Sequence, residues 1–218
     1  MDSETVFAAE RERMVREQIL RRGVTDRRVL EALRGVPRHI FVPEENRHLA
    51  YADCALPLGE GQTISQPYIV ALMSMLLDLN GPERVLEVGT GSGYQAAVLA
   101  HLAAEVHTIE RRPGLARYAG RLLRDLKLEN VTVHTGDGTL GLPECAPFDA
   151  IIVTAGAPQV PPALLGQLAD GGRLVIPVGG RGNQYLECWT RQGERYERED
   201  LISVAFVPLV GVQGWPDK

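Results

Sequence analysis

Three observations predict a doubly wound α/β sheet for this 218-residue chain. From Gly81 onward, short wholly apolar runs alternate with helical ones, the pattern of buried parallel strands joined by crossover helices. The first run empties into Gly89-Thr90-Gly91-Ser92-Gly93 at the mouth of a helix, where missing side chains let a ligand lie against the backbone. The last two runs flank a charged stretch, which predicts an antiparallel hairpin at one sheet edge. The length exceeds a minimal nucleotide-binding core and falls short of two domains at roughly 150 residues each. One structural domain is therefore expected, with residues 1–80 as an N-terminal helical layer bearing an active-site loop, and 81–218 as the sheet core.

The elements follow in order. Val15, Ile19 and Leu20 among polar residues predict a surface helix over 7–22, stopped by Gly23. Asp26 caps a second short helix carrying Val29, Leu30 and Leu33, and Pro37 and Pro43 punctuate an irregular connection. Residues 53–66 are rich in Gly and Pro without periodicity, so they read as a long functional loop ending at Ser65, before a helix over 67–79. Core strands are expected at 84–88, 105–110, 131–135, 148–154 and 173–178, with helices near 94–102, 113–126 and 161–168. Residues 185–190 and 202–208 would form the hairpin, with 192–200 as its turn region.

Composition narrows the function classes. With 44% hydrophobic and 23% charged residues, the chain has the apolar material for a packed core and is not disordered. No apolar run reaches the ~18 residues that cross a bilayer, and the start, 1–13, is charged, so a cytoplasmic protein with no membrane partner is expected. Cys54, Cys145 and Cys188 show no CxxC spacing, and the histidines at 39, 48, 101, 107 and 134 show no metal or triad spacing. No metal site is expected. The net charge of -5 is uneven, because residues 11–38 hold nine Arg against four acids, making that stretch +5 and the remainder -10. Glu12/Arg16 and Glu17/Arg21 at i,i+4 spacing favour a solvated helix face over a nucleic-acid patch. A monomer without a nucleic-acid partner is expected.

The glycine loop also selects its ligand. Dinucleotide sites use GxGxxG, whereas here Gly89, Gly91 and Gly93, with Thr90 between them, give GxGxG, and Glu87 stands two residues before it. A carboxylate there would repel a pyrophosphate and suits a cation. S-adenosylmethionine carries an ammonium and a sulfonium and no phosphate. Glu110, 17 residues after Gly93 at the end of the second core strand, is placed to accept from both ribose hydroxyls. Asp137, followed by Gly138 after the third strand, lies at the same sheet edge and can accept from an adenine amino group. Together these make a Rossmann-like class I methyltransferase pattern that uses S-adenosylmethionine.

The segments 36–43, 57–67, 85–94, 148–158, 168–179 and 206–211 carry a closer likeness. In them the chain resembles the protein-L-isoaspartate (D-aspartate) O-methyltransferase family, which repairs damaged proteins. The resemblance implies methyl transfer from S-adenosylmethionine, leaving S-adenosylhomocysteine, to the α-carboxylate of isoaspartyl residues and the β-carboxylate of D-aspartyl residues in proteins and peptides. It implies that Ser65 is the active-site serine and that Gln62, Thr63, Ile64, Ser65, Gly89, Glu110, Asp137 and Gly138 line the cofactor. It further implies that Tyr51, Pro57 and Leu58 from one loop, and Val207, Pro208, Leu209 and Val210 from the tail, cradle the substrate backbone. Gln66 departs mildly from the family, where Ala is common.

The chemistry agrees with the residues present. An exposed main-chain α-carboxylate has a reference pKa of about 3.5, so the nucleophile is already an anion near neutrality and no general base is required. Catalysis would be positioning and desolvation. Ser65 would donate a hydrogen bond to that carboxylate, cap the helix entered at Pro67, or both. His39 reads as a packing histidine, and Phe206 and Trp215 as core or tail anchors. An alternative is a methyltransferase of small molecules or nucleic acid. Against it, Thr154-Ala155-Gly156-Ala157-Pro158 lacks a base clamp, Cys145 follows Glu144 rather than Pro, and the acidic net charge opposes phosphate binding. A non-enzymatic cofactor-binding protein would be expected to lack Glu110, Asp137 or Ser65.

Overall fold

In the computed structural model, which describes residues 3–217, the N-terminal helix is not uniform. α1 (Ser3–Arg13) passes into a π-helical turn over Met14–Ile19 and a 3-10 turn over Leu20–Arg22, and Gly23 ends it at φ 91°. The wider i→i+5 turn puts Met14 and Val15 on the same buried side as Ile19, all three fully enclosed. It also breaks the i,i+4 spacing on which the expected charge pairs depend. Glu12 instead meets Arg34 at 2.8 Å, and Glu17 meets its neighbour Arg16 at 2.9 Å. Asp26 caps α2 (Arg27–Gly35) by accepting from Val29 N at 3.0 Å. Two 3-10 turns, Arg38–Phe41 and Glu44–Leu49, follow.

The expected irregular loop contains a small hairpin, β1 (Leu56–Gly59) and β2 (Gln62–Ile64). Leu56 and Ile64 pair across it and are both 3% exposed, so two buried side chains fix the register. α3 (Pro67–Leu76) then begins with proline at its first turn.

The core runs β3 (Arg84–Val88), α4 (Tyr94–Ala100), β4 (Glu105–Glu110), α5 (Pro113–Asp125), β5 (Val131–Thr135), β6 (Phe148–Val153), α6 (Pro162–Gly166), β7 (Leu168–Gly180), β8 (Asn183–Gln192) and β9 (Arg195–Val204). The seven strands lie in the order β5-β4-β3-β6-β7-β8-β9, parallel through β7 and antiparallel for β8 and β9. The fold is a class I, Rossmann-like sheet with an antiparallel edge. The charged stretch expected as a turn is mostly edge strand: β9 begins at Arg195, and Glu197, Arg198, Glu199 and Asp200 keep the open edge wet. Residues 205–208 lie beyond β9 and turn back over the site.

Strand alternation divides the interior between the two faces. Val85, Val106, Ile152 and Val175 join the N-terminal helices and α4 in one core, while Leu86, Ile109, Ile151 and Leu174 join α6 in the other. Because β3 pairs with β4 on one side and β6 on the other, the strand order reverses there, and the crevice above its carboxyl end is where such folds bind ligands.

Candidate active site

The glycine loop is shaped by close approach. Gly89, just after β3, has φ 100°, and a Cβ on it would stand 2.5 Å from Thr154 Oγ1. That hydroxyl closes β6 against β3 by donating to the Gly89 carbonyl at 2.6 Å. Gly93 starts α4 at φ 88°, a left-handed conformation that favours glycine.

Below the loop, Glu87 pairs in register with Thr108 and is 0% exposed. Its Oε2 accepts from Thr108 Oγ1 at 2.6 Å, and Thr108 Oγ1 lies 2.6 Å from Thr90 Oγ1. Its Oε1 is buried without a partner, and the residue borders the cavity. Burial pushes the Glu87 carboxyl up to about 8, with Glu110 adding to the shift and the Thr108 bond opposing it. A buried acid that lines a cavity and has one orphaned oxygen fits a cationic group such as the ammonium of S-adenosylmethionine.

Glu110 bridges two backbone amides, accepting from Gly91 N at 3.0 Å and Arg112 N at 2.9 Å. Each oxygen retains a second lone pair for a ligand hydroxyl. Asp137 is more heavily engaged: Oδ1 accepts from Thr139 N at 2.9 Å and Thr139 Oγ1 at 2.7 Å, and Oδ2 accepts from Val212 N at 2.7 Å. Burial works to raise its pKa, but those hydrogen bonds and nearby Arg111 hold it below the usual value. Asp137 thus ties the tail to the sheet edge, a role that its Gly-Asp-Gly context does not reveal.

Three cavities meet here. The central one is bordered by Gln62, Thr63, Ile64 and Ser65 on one side and by Glu87, Gly89, Thr90, Gly91 and Glu110 on the other. A second opens beyond it between Thr63, Ser65, Gln66 and the segment 203–207, and Thr63, Ser65, Thr154 and Val207 border both. A third, between Gly89, Glu110, Gly138, Pro208, Leu209 and Val210, adjoins the first on the opposite side. The tail residues 208–210 therefore face the Glu110 side, and only Val207 of the expected substrate tail borders the second cavity. Its backbone is already committed, because Val207 O accepts from Gly156 N and Leu209 N donates to Gly156 O, both at 2.8 Å. Tyr51, Pro57 and Leu58 border none of the three cavities, although Leu58 approaches Gly91 of the glycine loop. Tyr51 is buried with its hydroxyl 2.8 Å from His39 Nδ1, and His39 stacks on Phe7 at 4.1 Å as a packing residue. Trp215 anchors the tail through Nε1 to the Gly156 carbonyl at 3.0 Å, and Phe206 borders the second cavity.

Ser65 does not hold the α3 cap position, which belongs to Gln66. What holds Ser65 is Arg38, a fully buried side chain whose Nη2 donates to the Ser65 carbonyl at 2.8 Å and whose Nε donates to the Ala50 carbonyl at 2.8 Å. The only trace of this role along the chain is an Arg set among Val36, Ile40, Phe41 and Val42. Thr154 carries no sequence signal as a cavity residue, whereas Phe206, an anchor with substrate contact as its alternative reading, does border the second cavity.

A family model described as Protein-L-isoaspartate(D-aspartate) O-methyltransferase matches residues 9–214. The chain belongs to this family. It is 56% identical over 209 residues to the protein-L-isoaspartate O-methyltransferase of Roseiflexus castenholzii, covering 96% of this chain and 95% of that one. A solved protein-L-isoaspartate O-methyltransferase superposes with TM-score 0.84 at 29% identity, over 94% of this chain and 67% of that one. Another, described as a candidate enzyme of this kind from Plasmodium falciparum in complex with S-adenosyl-L-homocysteine, gives TM-score 0.79 at 27% identity, over 90% and 96%. As a protein-L-isoaspartate O-methyltransferase, the chain is an S-adenosylmethionine-dependent enzyme that methylates isoaspartyl residues in protein repair. Among the described residues no helix is long and apolar enough to cross a membrane.

Proposed function

We propose that Ser65 is the catalytic residue of this methyl transfer, positioning the substrate carboxylate at the junction of the first and second cavities. The single observation that carries this is that Ser65 borders both. Bound S-adenosylmethionine supplies an electrophilic methyl group on a sulfonium. Glu87 would meet its ammonium through Oε1, Glu110 would take the ribose hydroxyls, and Gly89, Thr90, Gly91 and Gly93 would give the backbone room to approach. Gln62, Thr63 and Ile64 would close the outer wall. Asp137 with Gly138 would border the adenine; three of the Asp137 acceptor sites are already filled, which leaves Oδ2 for an amino donor.

In the second cavity the isoaspartyl α-carboxylate, anionic near neutrality, needs no base to remove a proton. Ser65 would donate to one of its oxygens and leave the other directed toward the first cavity, while Thr154, Val207 and Phe206 displace water from it. The β-carboxylate of a D-aspartyl residue is proposed as a second substrate of the same geometry. We assign Val207 to substrate contact, Pro208, Leu209 and Val210 to the cofactor side, and Leu58 to the outer face of the glycine loop at Gly91. The enzyme is further proposed to act as a cytoplasmic monomer without a nucleic-acid partner, a reading supported by its three free cysteines and net charge of -5.

The test offers the purified enzyme an isoaspartyl peptide and its normal aspartyl twin with radiolabelled cofactor. Label confined to the isoaspartyl peptide is expected; equal labelling of both would overturn the substrate assignment.

A further inference from the structure

One group of side chains outside the active site has chemistry that methyl transfer does not use. His107 on β4, His134 on β5 and Cys145, just before β6, have ligand-type atoms that all lie within 4.8 Å of one another. Register explains how strands bring the two histidines together: His107 pairs with Thr132, two residues before His134, so equal parity puts both on the face that carries α6. Cys145 arrives by the loop that covers this face, packed against the same core. None of the three borders the cofactor or substrate cavities.

We propose that His107, His134 and Cys145 form a binding site for a zinc-type divalent cation, with a solvent water in the fourth position. Two imidazoles and one thiolate are a donor set for such a cation. A tetrahedral zinc ion with bonds of about 2.0–2.3 Å sets its ligand atoms about 3.3–3.7 Å apart. His107 Nδ1 and His134 Nε2, 3.0 Å apart, would part by a few tenths of an ångström, and the thiol of half-buried Cys145, within 4.8 Å of both, would close in by about 1 Å at most.

Orientation of the first imidazole is already fixed. His107 Nε2 lies 2.9 Å from Glu105 Oε1, so its proton belongs on that side and the Nδ1 lone pair faces the site. This carboxylate-histidine arrangement is the usual support of a metal-bound imidazole. Without the ion, the 3.0 Å nitrogen pair needs one proton between its members, which His134 supplies from Nε2. With the ion, that proton shifts to His134 Nδ1 and the Cys145 thiol proton passes to solvent, so two neutral imidazoles and one thiolate receive the dication. The bound ion would fasten the 141–147 loop to β4 and β5.

The experiment is titration of Zn²⁺ into the metal-stripped full-length enzyme, followed by calorimetry and thermal melts, with Co²⁺ as a spectroscopic probe. One equivalent is expected to bind and raise the melting temperature, and Co²⁺ should give a near-ultraviolet thiolate-to-cobalt band. Cys145→Ser and His134→Gln should each weaken binding at least about tenfold, and Cys145→Ser should abolish the band, while exposed Cys54→Ser changes neither. Substoichiometric binding, or binding that Cys145→Ser leaves intact in a protein melting normally without metal, would overturn the proposal.

Discussion

Arg38 Nη2 donates to the Ser65 carbonyl oxygen at 2.8 Å, so a buried cation holds the backbone of the proposed catalytic residue. Its other carbonyl partner is Ala50, and its guanidinium carbon lies 4.8 Å from the centre of the Tyr94 ring. Burial lowers its pKa, with neighbouring Tyr94 opposing. A lysine ammonium lacks the planar fork that spans two carbonyls. Arg38→Lys should therefore cost about 1–3 kcal/mol in a denaturant melt and lower kcat, because Ser65 loses its anchor. Unchanged stability and turnover would remove Arg38 as a positioning residue.

Ser65→Ala tests the hydroxyl without disturbing the helix, since Gln66 holds the cap position. Loss of one hydrogen bond to a charged group, about 1.5–3 kcal/mol, predicts a roughly 10- to 100-fold fall in kcat with an unchanged melting temperature. The pH profile near neutrality should keep its shape. A new limb would place Ser65 in a proton relay.

Glu87 carries a pH signature. Its folded-state pKa, about 8, lies above the ordinary value of 4.5, so between these values the folded cofactor-free protein binds more protons than the unfolded chain. Stability should therefore fall as pH rises through that window. Glu87→Gln should flatten the profile and be relatively more stable toward its alkaline end, yet bind cofactor weakly because an amide cannot ionise to meet the ammonium. Urea melts across the window, paired with cofactor titration, check both halves; an unaltered slope would contradict the assignment.

Gly211 packs so closely on Asp137 that an added Cβ would overlap Oδ1. Gly211→Ala should release the tail segment 207–215, raise the cofactor dissociation constant several-fold and expose the segment to limited proteolysis. Retained affinity with a protease-resistant tail would show that the tail is not held through Asp137.

Phe41 of the N-terminal layer, 1% exposed, meets Tyr94 of α4 edge-on at 5.5 Å. One continuous hydrophobic cluster runs through both layers, so residues 1–80 and 81–218 are proposed to unfold together. Phe41→Ala should lower stability by about 3–5 kcal/mol in a single transition. Two resolved transitions would separate the layers.

Much of the site was legible because it follows from strand ends. Apolar runs fix the parallel strands, and the residues just beyond them, Gly89 after β3, Glu110 at the end of β4 and Asp137 after β5, must gather at one sheet edge whatever the packing. Side chains whose partners lie far along the chain were not legible. The Leu56-Ile64 hairpin looked like loop because its strands are short, and β9 looked like turn because an edge strand tolerates charge. Tyr51 was expected at the substrate but is claimed by His39, and Pro208, Leu209 and Val210 sit on the Glu110 side because Gly156 and Asp137 hold the tail there. The sequence by itself determined the parallel strands, the sheet edge of the candidate site and the family. Only the tertiary structure decided that Arg38 braces Ser65 and that His107, His134 and Cys145 converge, since burial and long-range pairing leave no periodic trace along the chain.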